Sequence, residues 1–108
     1  MHYEALLVEN AERDLEALRD CVAETDSPAS ADRVLDMLLE IVTTPERFPE
    51  RGSHPRELLT LGHVEYRQIV RKPWRVFCRT SGKRVHVVLI ADGLRDMRSL
   101  LAQRLLGA

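Results

Sequence analysis

The chain is poor in the features that mark whole classes of protein. No apolar run approaches the roughly 18 residues that a membrane-crossing helix needs. The opening stretch MHYEALLVENAERD carries acids where a secretory signal would carry bases, and it lacks a long apolar centre. The expected location is therefore cytoplasmic. There are only two cysteines, Cys21 and Cys78, with no CxxC spacing, and a cytosolic chain is expected to keep both as buried reduced thiols. The four histidines, His2, His54, His63 and His86, show no HxxxH or Cys/His ligand pattern, so no metal or other cofactor is expected. There is no internal repeat and no low-complexity segment. At 108 residues, 44% hydrophobic and 31% charged, the chain is expected to form one domain over residues 1–108, with a hydrophobic core that needs neither disulfide nor metal.

What is present is an uneven distribution of charge. Formal net charge is −1, yet residues 1–50 sum to −9 and residues 51–108 to +8. An acidic half and a basic half imply a polarised surface, with one side suited to an anionic or acidic partner. The basic excess concentrates in VEYRQIVRKPWRVFCRTSGKRVHVVLI, residues 64–90, where Arg67, Arg71, Lys72, Arg75, Arg79, Lys83 and Arg84 interrupt an otherwise strand-like pattern.

The apolar periodicity predicts the elements. Tyr3–Val8 reads as a short strand. Asn10 is placed to cap a helix in which Ala11, Leu15, Leu18 and Val22 share one face. Ser27 caps a second helix with Pro28 at its first position, where the missing N–H costs nothing. Ala31, Leu35, Leu38 and Val42 form its stripe, widened by Val34, Leu39 and Ile41, and Pro45 stops it. The two helices make an antiparallel hairpin that must lie on something apolar. Residues 45–63 are a Pro/Gly-rich connector with a short strand expected at Glu57–Leu61. Asp92 caps a last helix with the stripe Leu94, Met97, Leu101 and Leu105, and Arg95, Arg98 and Arg104 ride at its surface.

The basic stretch reads as three antiparallel strands. A two-residue turn at Ser81-Gly82 would pair Thr80 with Lys83. A three-residue loop at Arg71-Lys72-Pro73 would pair Val70 with Trp74. Together these put Tyr66, Gln68, Val70, Trp74, Val76, Cys78, Val85, Val87 and Leu89 on a core face. Arg67, Arg75, Arg79, Arg84 and His86 then surround Ile69, Phe77, Val88 and Ile90 on the opposite face. A two-residue first turn would slip the register and turn Arg67 toward the core, which argues against it. An apolar face studded with arginines is seldom left wet, so Arg67, Ile69, Arg75, Phe77, Arg79 and Arg84 are candidate binding residues; Arg95, beside the last helix, is a further candidate. The expected fold is α+β, β-α-α-β-β-β-α, an antiparallel-rich twisted sheet packed on the N-terminal helical hairpin.

In this order and spacing, NAERDLEALRDCVAE, TPERFPERG, RELLTLGHVEYRQIVRKPWRVFCRTSGKRVHVVLI and DGLRDMRSLL resemble the RelE/ParE superfamily, the toxin halves of bacterial type II toxin–antitoxin modules. The resemblance implies a cytoplasmic toxin held in check by a cognate antitoxin, as a homodimer or a toxin–antitoxin hetero-oligomer. It also implies one of two targets. RelE-like members cut mRNA on the ribosome, whereas ParE-like members act on DNA gyrase through a protein contact.

Ribonucleolytic attack by a 2′-hydroxyl needs a base, an acid and positive charge beside the phosphate. By resemblance to RelE-like nucleases, Arg67, Arg75 and Arg95 supply the charge, and His86 is the one available proton carrier. The nuclease tyrosine of the last helix falls near Leu101, which moves no proton. The pattern is closer to ParE-like members: Arg56-Glu57-Leu58, then Tyr66-Arg67, then Trp74-Arg75, with the closing H-G-x-R reading Asp92-Gly93-Leu94-Arg95. A third alternative, a generic nucleic-acid-binding domain, fits less well, because the overall pI is near 6.4 where such domains are usually above ~9.

Overall fold

Strand β1 (Glu4–Leu7) runs directly into helix α1 (Glu9–Thr25), and a short turn leads to helix α2 (Pro28–Val42). A single helical turn, α3 (Arg56–Leu59), precedes strands β2 (Tyr66–Arg71), β3 (Trp74–Ser81) and β4 (Arg84–Asp92), and helix α4 (Met97–Leu105) follows. The computed structural model describes residues 4–42, 53–71, 73–82, 84–92 and 96–105. Tyr3, residues 43–52, Lys72, Lys83, Leu94 and Arg95 lie outside them, so the expectations placed on these positions are not addressed by the described structure. The strands form one sheet in the order β1-β4-β3-β2, with β1 parallel to β4 and the other neighbours antiparallel.

The helical hairpin forms as its sequence predicts. Ser27 Oγ accepts the Ser30 N–H at 3.1 Å and the Ser27 carbonyl accepts the Ala31 N–H, with Pro28 as the first helical residue. Helix α1 starts two residues earlier than expected, and Val8 rather than Asn10 holds the cap position. The Val8 carbonyl takes the first helical N–H, from Glu12 at 3.0 Å, while the Val8 N–H still pairs with the Val87 carbonyl of β4. The strand thus hands its backbone straight to the helix. Glu9 and Glu12 face the positive end of the helix dipole.

Three further expectations are corrected. Residues 56–59 are helical rather than extended. The turn ends at Gly62, whose φ of +83° lets the His63 N–H return to the Leu58 carbonyl at 2.9 Å. Asp92 belongs to β4, and Asp96 caps α4 by accepting the Ser99 N–H and hydroxyl. Cys21 is exposed on α1, and only Cys78 is buried.

The largest correction is the register. The described pairs are Tyr66 with Arg79, Gln68 with Phe77 and Arg71 with Trp74, so the first hairpin has a two-residue turn. In the second, Ser81 pairs with Arg84 across a turn containing Gly82 at φ +60°. Beyond Val87 a β-bulge inserts Val88 opposite β3, so Phe77 meets Leu89 and Val76 meets Ile90.

The sheet therefore carries a core on each face. On one face Val76, Cys78, Val85, Val87 and Ile90 pack with Ala11 and Leu38 of the hairpin, with Ile69 and Trp74 alongside. On the other, Tyr66, Phe77, Leu89 and Ala91 pack with Leu58 of α3 and Met97 and Leu101 of α4. Tyr66 and Leu89 are buried, but on the face opposite the one expected. Ile69 turns toward the hairpin. Val70, expected in the core, is 52% exposed. The expectation assumed one buried face, and two covered faces remove that constraint on register.

The two layers are tied together at the edge of β4 that β1 is too short to cover. Asp14 of α1 accepts the Ile90 N–H at 3.1 Å and forms a bidentate pair with Arg104 of α4 at 2.9 and 3.0 Å. Arg104 also donates to the Val88 carbonyl at 3.2 Å. Arg104 is thus a structural residue, not a solvated one.

Replacing Arg104 with Ala strands the Asp14 carboxylate and the Val88 carbonyl, which should cost about 1–3 kcal/mol. A urea melt should show a lowered midpoint, and an unchanged midpoint would remove the pair from the account of stability. Burial raises the Cys78 thiol to about 12, so a thiol reagent should label Cys21 alone in the folded chain and both cysteines after denaturation.

Candidate functional site

The expected arginine face divides into three places. Arg67 lies opposite Cys78 on the hairpin side of the sheet, and Arg75, Arg79, Arg84 and His86 lie on the other side. Arg67 and Arg75 therefore do not share a face. The slip that sequence reasoning rejected is the one adopted. It is tolerated because Arg67 sits on the outermost strand and is only half-buried. Phe77 is 0% exposed and belongs to the second core rather than to a docking face.

Arg75 is held by its own chain. Its Nη1 and Nη2 donate to the two Glu57 carboxylate oxygens at 2.9 and 3.1 Å, a bidentate pair with side chains only 15% and 24% exposed. Its Nε donates to Gln68 Oε1 at 2.8 Å, and Nη2 donates to the same oxygen. The guanidinium lies 4.8 Å from the centre of the Phe77 ring, which adds cation–π attraction. The Arg75 hydrogen bond is the main reason that the Glu57 carboxyl is held below its ordinary 4.5.

This pair floors a pocket of about 390 Å³ lined by Arg56, Glu57, Thr60, Gln68, Arg75 and Arg98. Helix α3 brings Arg56 and Glu57, β2 and β3 bring Gln68 and Arg75, and α4 brings Arg98. With Glu57 answering one guanidinium, the lining keeps an excess of positive charge, suited to a carboxylate or phosphate. Of its members, sequence reasoning had named only Arg75 as a candidate. The Arg56-Glu57-Leu58 motif was the available signal, since one helical turn sends its three side chains to the pocket rim, the ion pair and the second core.

Farther along the same face, Arg79 pairs across the sheet with His86 on one side and Tyr66 on the other, and Arg84 follows at the β3–β4 tip. Arg79 and Arg84 are exposed and His86 is half-buried. Arg75 lies four positions from Arg79 on β3, about 13 Å along a strand. With Arg75 held by Glu57 and Gln68, the two places are distinct. Among the described residues no group of three His, Cys, Asp or Glu is placed to hold a metal ion, and no helix is long and apolar enough to cross a membrane.

Because Glu57 titrates lower in the folded chain than in the unfolded one, its contribution to stability is complete above about 4.5 and is lost as pH falls through its lowered value. Glu57→Gln should flatten that acidic limb of a thermal-melt series. A variant that keeps the wild-type slope would assign the limb to other carboxylates.

Comparison with known proteins follows the same lines. The family model described as ParE toxin of type II toxin-antitoxin system, parDE, matches residues 6–97. No curated protein matches the chain. Among solved structures, a chain described as the chromosomal ParDE TA system from P. aeruginosa is similar at a TM-score of 0.68 and 21% identity, covering 85% of this chain and 98% of that one. That likeness speaks for the fold.

Proposed function

The chain belongs to the ParE toxin family of type II toxin–antitoxin systems, and from that we propose that it is a cytoplasmic toxin that inhibits DNA gyrase by protein contact and is neutralised by a cognate antitoxin. The observation that carries the choice of contact over catalysis is the separation of the charged groups. Arg67 lies across the sheet from Arg75. Arg75 is committed to Glu57 and Gln68, and His86 stands beside Arg79 instead of Arg75. An RNA-cleaving site needs charge and a proton carrier around one phosphate, and this arrangement spreads them over both sides of the sheet. Arg95, the remaining candidate, lies outside the described residues. A contact toxin needs only surface, and exposed arginines on a rigid sheet supply it.

In this reading the antitoxin presents an acidic segment to the basic tip at Arg79 and Arg84 and to the rim arginines Arg56 and Arg98. Membership in a family of toxins from type II toxin–antitoxin systems supports an antitoxin as partner. Arg75 acts as a positioning residue. Its removal would leave Glu57 and Gln68 without their partner, so toxicity lost in Arg75→Ala would report on folding as much as on contact.

The deciding experiment runs the purified protein in a gyrase supercoiling assay beside primer extension on ribosome-bound mRNA. Inhibited supercoiling with intact message is expected, and cleaved message with untouched gyrase would reverse the assignment. The double variant Arg79→Ala, Arg84→Ala should bind the antitoxin about ten-fold more weakly, with a reduced salt dependence. Calorimetric titration at two ionic strengths checks this, and unchanged affinity would remove the tip from the interface.

A further inference from the structure

The pocket between α3 and α4 is defined by what its lining still has to offer. Its acceptors are already engaged by Arg75: each Glu57 carboxylate oxygen receives one Nη group, and Gln68 Oε1 receives Nε and Nη2. Gln68 directs its Nε2 to Ser53 Oγ at 3.4 Å, and the Thr60 hydroxyl donates to the Glu57 carbonyl at 3.1 Å. Donors are left over. Arg56 arrives from α3 and Arg98 from α4, both exposed, and neither forms an ion pair among the described residues. Asp96, the acid closest to Arg98 in sequence, accepts from Ser99 instead. Three arginines against one glutamate leave the lining a formal charge of +2.

We infer that this pocket binds a phosphate group as its dianion, either inorganic phosphate or a phosphomonoester. A guanidinium donates through two parallel N–H groups to two oxygens of one anion. A monoester presents three terminal oxygens and a charge of about −1.5 to −2 at neutral pH. It can therefore take one fork from Arg56 and another from Arg98 while matching the charge of the lining. A phosphodiester or a carboxylate has two free oxygens and a single charge, which satisfy one arginine and leave the other. A cation or a neutral donor meets acceptors that are already engaged. The cavity of about 390 Å³ has room for the group and the start of whatever carries it. No aromatic ring lines it for a base to stack on, since Phe77 is buried beneath the Arg75 guanidinium. Recognition is thus of the phosphate and not of its carrier. The proposed antitoxin contact uses the same two arginines, so a bound phosphate group and the acidic segment compete for them.

The test titrates the full chain alone, followed by two-dimensional amide NMR at constant ionic strength and about pH 7.5, above the second phosphate pKa of about 6. The probes are inorganic phosphate, adenosine 5′-monophosphate and dimethyl phosphate. Saturable shifts centred on Thr60, Gln68, Arg75 and Arg98 are expected for the first two, with dimethyl phosphate weaker by about ten-fold or more. Equal affinity for phosphate and the nucleotide assigns the site to the phosphate group alone, and a tighter nucleotide assigns it to phosphomonoesters; both keep the inference. Arg56→Gln with Arg98→Gln should weaken phosphate binding about ten-fold. Arg79→Ala with Arg84→Ala removes the same charge from the tip and should change it by less than about two-fold. A thermal melt confirms folding, and the wild-type shift map decides the matter if a variant does not fold. Shifts spread over the whole basic face overturn the inference, as does a tip variant that loses as much affinity as the pocket variant. So does dimethyl phosphate that binds as well as phosphate, because the pocket would then suit a nucleic-acid backbone. Neither antitoxin nor gyrase is present, so failure here leaves the proposed function standing.

Discussion

Strand β4 has to serve two hydrophobic cores, and most of the architecture follows from how it does so. Val85, Val87 and Ile90 belong to the core under the helical hairpin, while Leu89 and Ala91 belong to the core under α3 and α4. Strict alternation would put Val87 and Leu89 on the same side. The bulge at Val88 changes the phase between them. Bulges interrupt the ladder and leave backbone groups to be satisfied. Asp14 and Arg104 supply partners at this edge, from opposite layers, to the Ile90 N–H and the Val88 carbonyl. One ion pair thereby joins the hairpin, the sheet and the last helix.

The same two-sided burial explains the fate of the arginines. A sheet with one bare face could have carried every guanidinium on that face. Covering both faces leaves room for charge only at the strand ends, on the outer strand and in the seam between α3 and α4. Arg79 and Arg84 take the tip and Arg67 the outer strand. Arg75 takes the seam, where Glu57, Gln68 and the Phe77 ring receive it. Hydrogen bonds to charged groups in so sheltered a place are worth about 1.5–3 kcal/mol, enough to hold Arg75 in one geometry. A residue resembling a catalytic arginine in sequence has here become part of the scaffold, and the surfaces left for recognition are the exposed ones around it.

The membership in the ParE toxin family and the polarity of the chain meet at this point. The contact mechanism proposed above requires recognition by at least two proteins, an antitoxin and a target. A molecule with an acidic hairpin on one side of a sheet and exposed arginines at the edge and tip of that sheet offers two electrostatically distinct surfaces without enlarging the fold.

Much of this was legible from residue order. The helical hairpin, with its Ser27 cap and Pro28, follows from local propensity and a 3.6-residue stripe that only one layer can satisfy. The α+β element order, the segregation of charge and the family resemblance were equally available there. Register was not, because β2–β4 are apolar on both sides and alternation no longer says which side faces the hairpin. Both turns admitted a one-residue slip, and the adopted pairing depends on Leu58, Met97 and Leu101 arriving from distant parts of the chain to bury Tyr66, Phe77 and Leu89. The Arg75–Glu57 and Asp14–Arg104 pairs join residues 18 and 90 positions apart. Local sequence cannot choose such partners, since the closure of those loops is driven by burial of the surrounding apolar surface and the ion pairs form only within the geometry that burial creates.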